Sequence, residues 1–165
     1  MEFKSLMHVS FFTDQMDVMR DFYENKLGLK VKNVTRAGLY KGLTRGKYSE
    51  VAEVDPNRII LVYIEIDTGQ FIELFPKDEG QAPHDEWNQR LGYSHFALLV
   101  EDIEKTYREL VECGVAIDTP ISKGPSHTYQ MWVHDPDGNK FEIMQYTDKS
   151  FQVVGHIEEE ISEDS

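Results

Sequence analysis

The chain switches between two hydrophobic periods, and does so twice. Residues 3–12, FKSLMHVSFF, alternate at period two. One set is Phe3, Ser5, Met7, Val9 and Phe11, the other Lys4, Leu6, His8, Ser10 and Phe12, which predicts a strand. After Thr13 the period lengthens: Val18, Met19, Phe22 and Tyr23 form a helical stripe, with Asp14 as the expected N-cap and Gly28 as the stop. LKVKNVTR begins another strand. Residues 36–58 are polar, contain glycine and hold no strong period, so a long loop is expected there. RIILVYIEID and QFIELFP then predict two strands joined at Asp67-Thr68-Gly69.

A polar linker follows over residues 81–92, and the pattern restarts. YSHFALLVED predicts a strand, and DIEKTYRELVECG a helix capped by Asp102 and closed by Gly114. VAIDTPI is extended. SHTYQMWVHD and NKFEIMQY predict a hairpin around DPDGN, where Pro136 and Gly138 suit a tight turn. Each half therefore reads strand, helix, then three strands. His8 stands six residues before Asp14, and His95 seven before Asp102. The predicted class is α+β, a duplicated βαβββ module over residues 1–80 and 93–148, with an acidic tail over 149–165.

Composition narrows the picture. The 165 residues are 40% hydrophobic, with nine Phe, eight Tyr and two Trp, enough for a real core. No apolar run approaches the roughly 20 residues that cross a bilayer. The N-terminal segment does not resemble a secretory signal. A single cysteine, Cys113, excludes an internal disulfide framework and fits a reducing cytosol, so a cytoplasmic protein is expected. Its place near the end of a helix predicts a small buried thiol. A formal net charge of −13 argues against nucleic acid and anionic membrane surfaces as partners. Much of that charge lies in HIEEEISEDS, which reads as a solvated tail.

Candidate chemistry comes from two glutamates in apolar strands. Glu73 lies in QFIELFP and faces the same way as Phe71 and Phe75; Glu142 lies in KFEIMQY and faces the same way as Met144 and Tyr146. A carboxylate on such a face is costly to bury without a cation or several donors. His8 and His95 sit in the first strand of each half. Each of the four alone reads as an ordinary sheet residue. One imidazole and one carboxylate in matching places of both halves read as a site. Two such sets facing each other suit a divalent metal with mixed nitrogen and oxygen ligands: Ni, Co or Zn, with Fe or Mn as alternatives.

The segments MHVSFFTDQMDVMRDFYENKLGLK, FIELF, YSHFALLVEDIEKTYREL and DPDGNKFEIMQY resemble the vicinal oxygen chelate superfamily, the group of glyoxalase I, bleomycin-resistance proteins and extradiol dioxygenases. The resemblance spans most of residues 3–147. It implies paired βαβββ modules whose mixed sheets curl around a divalent metal in a cleft. Its glyoxalase I-like members use His, Glu, His and Glu, matched in order by His8, Glu73, His95 and Glu142. The dioxygenases and thiol transferases of the group use three ligands, and the drug-binding members usually lack the metal set. The implied activity is that of a glyoxalase I-like lyase or isomerase (the lactoylglutathione lyase class), moving a proton next to a carbonyl through a metal-stabilised enediolate. Glu142 is the expected base and Glu73 a ligand or second base. The alternatives are a dioxygenase, a thiol transferase or a non-catalytic binding protein on the same scaffold. A small-molecule substrate and a homodimer are implied as partners, and the cleft may take residues from both chains.

The sequence departs from the bacterial glyoxalase I pattern at the glutathione-contact positions, where it has Phe12 and Lys77 in place of Arg and Asn. The excursion over 36–58, with Lys41, Arg45, Lys47 and Arg58, offers either a different pocket for an anionic substrate or plain solvated cations. His127 and His134 have no counterpart in the other half and are expected at the surface or rim, His127 near the hairpin mouth. Tyr129 and Trp132 are expected to be packing residues. His84 and His156 suggest no site.

Overall fold

The computed structural model describes residues 4–43 and 47–158. Phe3, Arg45 and the acidic run 159–165 lie outside them. The chain divides into two compact units, Met1–Glu86 with Asp135–Gly138, and Trp87–His134 with Asn139–Ser165. The expected linker is thus split between the units after Glu86.

The first unit runs β1 (His8–Thr13), α1 (Met16–Asp21) continuing into a π-helical turn (Phe22–Lys26), β2 (Lys30–Arg36), a 3-10 turn (Ala37–Tyr40), α2 (Ser49–Val54), β3 (Ile59–Asp67) and β4 (Gln70–Pro76). Its sheet has the order β1-β4-β3-β2, with β1 parallel to β4 and the other pairs antiparallel. Strand alternation sorts the side chains. Phe11, Ile60, Val62, Ile64, Ile72 and Leu74 are buried on one face, along with Met19, Phe22 and Tyr23 of the helical segment. Each such side chain contributes about 1.5–3 kcal/mol on leaving water.

Two expectations change here. Asp14 is not the helix cap: Gln15 holds that position without a side-chain bond, and the Thr13 hydroxyl accepts from the Gln15 amide at 3.0 Å. β1 ends at Thr13, whose own side chain makes the turn. Val18 is also out of the stripe, being 48% exposed. The excursion expected as loop is two short helical pieces with a small core of Ala37, Ala52 and Ile60, flanked by Tyr40, Tyr48 and Val51.

The second unit runs β5 (Phe96–Leu99), α3 (Ile103–Glu112), β6 (Ile117–Lys123), β7 (Tyr129–His134), β8 (Lys140–Gln145) and α4 (Phe151–Val154). Its order, β5-β8-β7-β6, with β5 parallel to β8, repeats the first sheet strand for strand. The duplicated βαβββ architecture expected from the sequence is therefore present. Met131, Val133, Phe141 and Ile143 are buried from the sheet, and Ile103, Leu110 and Val115 from the helix and its exit. Asp102 caps α3 as expected, its Oδ1 accepting from the Lys105 amide at 2.9 Å. Gly114 closes it at φ +72°, in the left-handed region that glycine enters freely.

Cys113 is exposed, contrary to the expected burial. It is the last residue before the chain reverses at Gly114, and Val115 is the residue that returns to the core. The tail also starts later than expected. Phe151 begins a helical turn, packs edge-on to His127 at 5.4 Å and stacks on His156 at 3.8 Å. Among the described residues no helix is long and apolar enough to cross a membrane.

Candidate functional site

In the first unit, strand register builds a row around Glu73. Ser10 on β1 and Tyr63 on β3 are its Cα partners, so the three share one face, opposite Ile72 and Leu74. Glu73 is only 5% exposed, which obliges it to find donors. The Ser10 hydroxyl donates to Oε2 at 2.5 Å. The Tyr63 hydroxyl also donates to Glu73, and this bond, then burial, then the carboxylate charge, push the phenol up to about 12. His8, one alternation earlier on β1, brings Nε2 to 3.4 Å from the same Oε2.

The second unit repeats the arrangement with different neighbours. Glu142 has Ala97 on β5 and Trp132 on β7 as its partners. His95, two residues before Ala97, brings Nε2 to 3.4 Å from Glu142 Oε2. The Ser10 and Tyr63 places are thus taken by Ala97 and Trp132, which offer no hydroxyl.

The structure therefore brings the four expected residues together two by two, His8 with Glu73 and His95 with Glu142. Among the described residues, no group of three or more His, Cys, Asp or Glu able to hold a metal is assembled within the chain. Each pair is nevertheless suited to two adjacent positions on one ion. Ligand bonds of about 2.1 Å at octahedral to tetrahedral angles put neighbouring donor atoms roughly 3.0–3.4 Å apart. Nitrogen with carboxylate oxygen is also the donor chemistry of Zn, Ni and Co sites.

Around these pairs stand residues that the sequence reading did not single out, Ser10, Tyr63 and Asp118, and two that it considered without a site role, Trp132 and His134. Ser10 and Tyr63 were missed because a lone hydroxyl carries no pattern; the register with Glu73 was the available signal. Trp132 shares the Glu142 face, with its ring 4.7 Å from that of His95 and 5.4 Å from Trp87. Its alternation with buried Met131 and Val133 would have placed it there. Asp118 and His134 also belong to this unit: Asp118 Oδ1 lies 2.8 Å from His134 Nδ1, and Oδ2 lies 3.6 Å from Lys140 Nζ.

The excursion serves a different place from the one considered. Lys41 faces Glu53 at 4.0 Å and Lys47 pairs with Asp78. Arg58 and Lys47 line a cavity of about 390 Å³ with Tyr48, Ile60 and Pro76. Ile60 belongs to the buried set with Val62, so this cavity lies behind the sheet from Glu73. Phe12, by contrast, is on the Glu73 face, 5.5 Å from Phe75, and Lys77 faces Asp14 at 4.0 Å.

The sequence profile of the Glyoxalase/Bleomycin resistance protein/Dioxygenase superfamily matches residues 5–143. Among solved structures, a glyoxalase family protein from Enterococcus faecalis superposes with a TM-score of 0.63 at 24% identity, covering 86% of this chain and 98% of that one. A superfamily member from Sphaerobacter thermophilus gives 0.61 at 22% identity, covering 87% and 98%. A lactoylglutathione lyase from Agrobacterium tumefaciens gives 0.53 at 17% identity, covering 86% and 92%. At these identities the likeness is one of fold.

Proposed function

The chain belongs to the Glyoxalase/Bleomycin resistance protein/Dioxygenase superfamily, and from that premise we propose that it is a divalent-metal-dependent lyase or isomerase of the glyoxalase I kind. Its substrate is a small molecule with two adjacent oxygens, such as a 2-oxoaldehyde adduct. One observation carries the reading. Both units place an imidazole nitrogen 3.4 Å from a carboxylate oxygen, at equivalent positions of equivalent sheets. Ion pairing alone gives no reason for the same His–Glu couple to occur twice.

His8, Glu73, His95 and Glu142 would hold the ion, and Ni, Co or Zn suits two nitrogens with two carboxylates. When bound, the ion supplies Lewis-acid polarisation of the adjacent substrate oxygens. The protein's own task is to move a proton between neighbouring carbons. Glu142 is suited to it, because no hydroxyl stands beside it in register. Glu73 is tethered by Ser10 and Tyr63 and suits a fixed ligand. With two donors in each unit, we assign the full set to a homodimer in which one protomer supplies His8 and Glu73 and its partner supplies the equivalents of His95 and Glu142. Phe12 and Lys77 favour a thiol carrier other than glutathione.

The test is metal loading followed by a methylglyoxal hydration–isomerisation assay with several thiols. Glu142→Gln should keep bound metal and lose turnover by about 10²–10⁴-fold, the usual contribution of a positioned proton-transfer group. Wild-type-like turnover in the metal-loaded variant removes Glu142 from the base role. Failure of the native protein to take up Ni, Co or Zn removes the whole reading.

A further inference from the structure

Beside His95, the second sheet carries a row of polar side chains that the four-ligand scheme does not use. Phe96 pairs with Phe141, so His95, one residue earlier, stands level with Lys140, and Lys140 pairs with His134. Asp118 on β6 completes the row. All these side chains meet on the Glu142 face: His95 touches Trp132, Trp132 touches Trp87, and Lys140 Nζ lies 4.8 Å over the Trp87 ring.

Within the row, Asp118 does two things. Its Oδ1 accepts from His134 Nδ1 at 2.8 Å, and its Oδ2 lies 3.6 Å from Lys140 Nζ. A carboxylate that takes the Nδ1 proton of an imidazole fixes the ring and its tautomer, leaving Nε2 for chemistry. The ammonium of Lys140 is already occupied between Asp118 and Trp87. Among the described residues His134 Nε2 has no such engagement, and the His134 side chain is 40% exposed. Among the described residues, the charged and titratable groups on the His134 face are Asp118 from β6, Lys140 and the diagonal Glu142 from β8, and His95 at the far end of the row.

The first unit has no equivalent. There the positions of His134 and Lys140 are held by Glu65 and Phe71, and Glu65 pairs with Lys32 at 3.2 Å. The dyad is thus an addition to one half of a duplicated scaffold. Glu142 is the diagonal neighbour of His134 across β7 and β8. Such residues lie about 7–8 Å apart, near enough for long side chains to share one small molecule.

We propose that His134, oriented by Asp118, is a second acid–base residue for the substrate handled by Glu142; this rests on the function proposed above. Glu142 takes the carbon-bound proton, and the electron pair of that C–H bond leaves negative charge on the substrate oxygen. His134, in its imidazolium form with Nδ1–H held by Asp118, then donates its Nε2 proton to that oxygen and becomes neutral. When Glu142 returns its proton to the neighbouring carbon, neutral His134 takes the oxygen's proton back. No proton is gained or lost, and no oxidant or reductant is needed.

The experiment uses the full chain loaded with Co(II), with acetohydroxamate as probe, since a hydroxamate presents two adjacent oxygens carrying negative charge. Affinity is read from the Co(II) visible spectrum. His134→Gln should weaken acetohydroxamate binding by about tenfold or more, the usual effect of losing a charge-assisted hydrogen bond, while leaving Co(II) affinity unchanged. His127→Gln, an imidazole that packs on Phe151, should change neither. Asp118→Asn should give an intermediate loss, and nitrogen NMR of the His134 ring should show its Nδ1–H population reduced. With a turned-over substrate, His134→Gln should lower kcat more than it raises KM. Unchanged acetohydroxamate affinity in both variants, with Co(II) bound, overturns the dyad alone. Absence of Co(II) binding in the native protein overturns the dyad and the proposed function together.

Discussion

Glu73 shows how a sheet can carry a carboxylate among apolar neighbours. An ionised group at that depth costs several kcal/mol unless it is compensated. Here Ser10 and Tyr63 supply hydroxyl donors from the strands on either side. The arrangement has a titration consequence for Tyr63, whose proton is held by Glu73. Its folded-state value, about 12, lies above the ordinary 10.0, so the bond's contribution to stability is complete below pH 10 and is lost as pH rises from 10 through 12. Spectrophotometric titration of the metal-free protein should find a tyrosine step near pH 12 that belongs to Tyr63. Tyr63→Phe should remove that step, and Glu73→Gln should bring it back toward the ordinary range. A late step of undiminished amplitude in Tyr63→Phe breaks the tether.

At the scale of elements, local capping chemistry sets a separate expectation. Asp102 satisfies one of the orphan amides at the start of α3, so Asp102→Ala should cost about 1 kcal/mol of stability. Urea unfolding should show this as a lower midpoint at unchanged slope; an unchanged midpoint would mean that water replaces the cap at no cost. Asp102 was legible in the sequence because it stands directly before a helical stripe. The strands were legible for the same kind of reason, since period two persists through QFIELF and YQMWV. Asp14 misled because the preceding strand ends in Thr13, which makes the turn itself. Residues 36–58 misled because each helical piece is too short to show a period. His134 was not legible as a site residue because it has no counterpart in the other half, and its partner Asp118 stands on a different strand. Ile117 pairs with Val133, so alternation puts Asp118 and His134 on one face, but that pairing of β6 with β7 is set by the fold and not by a local pattern.

For the whole molecule, the proposed function requires two His–Glu pairs to form one four-donor site. The pairs belong to different units, and no three candidate ligands gather among the described residues of one chain. The proposed two-fold dimer would meet that requirement by letting the first pair of one protomer meet the second pair of its partner, twice over. That assignment makes a specific arithmetic. A protein carrying His8→Ala and Glu73→Ala has both dimer sites broken, and so does one carrying His95→Ala and Glu142→Ala. In a mixed dimer, one site combines both broken pairs and the other combines both intact pairs. Co-refolding equal amounts of the two variants should therefore restore about a quarter of the native metal content and turnover, half the dimers being mixed with one working site each. If each site were instead built within one chain, both chains of every mixed dimer would stay broken. Mixing would then restore nothing, and the assignment of the two pairs to different protomers would be lost.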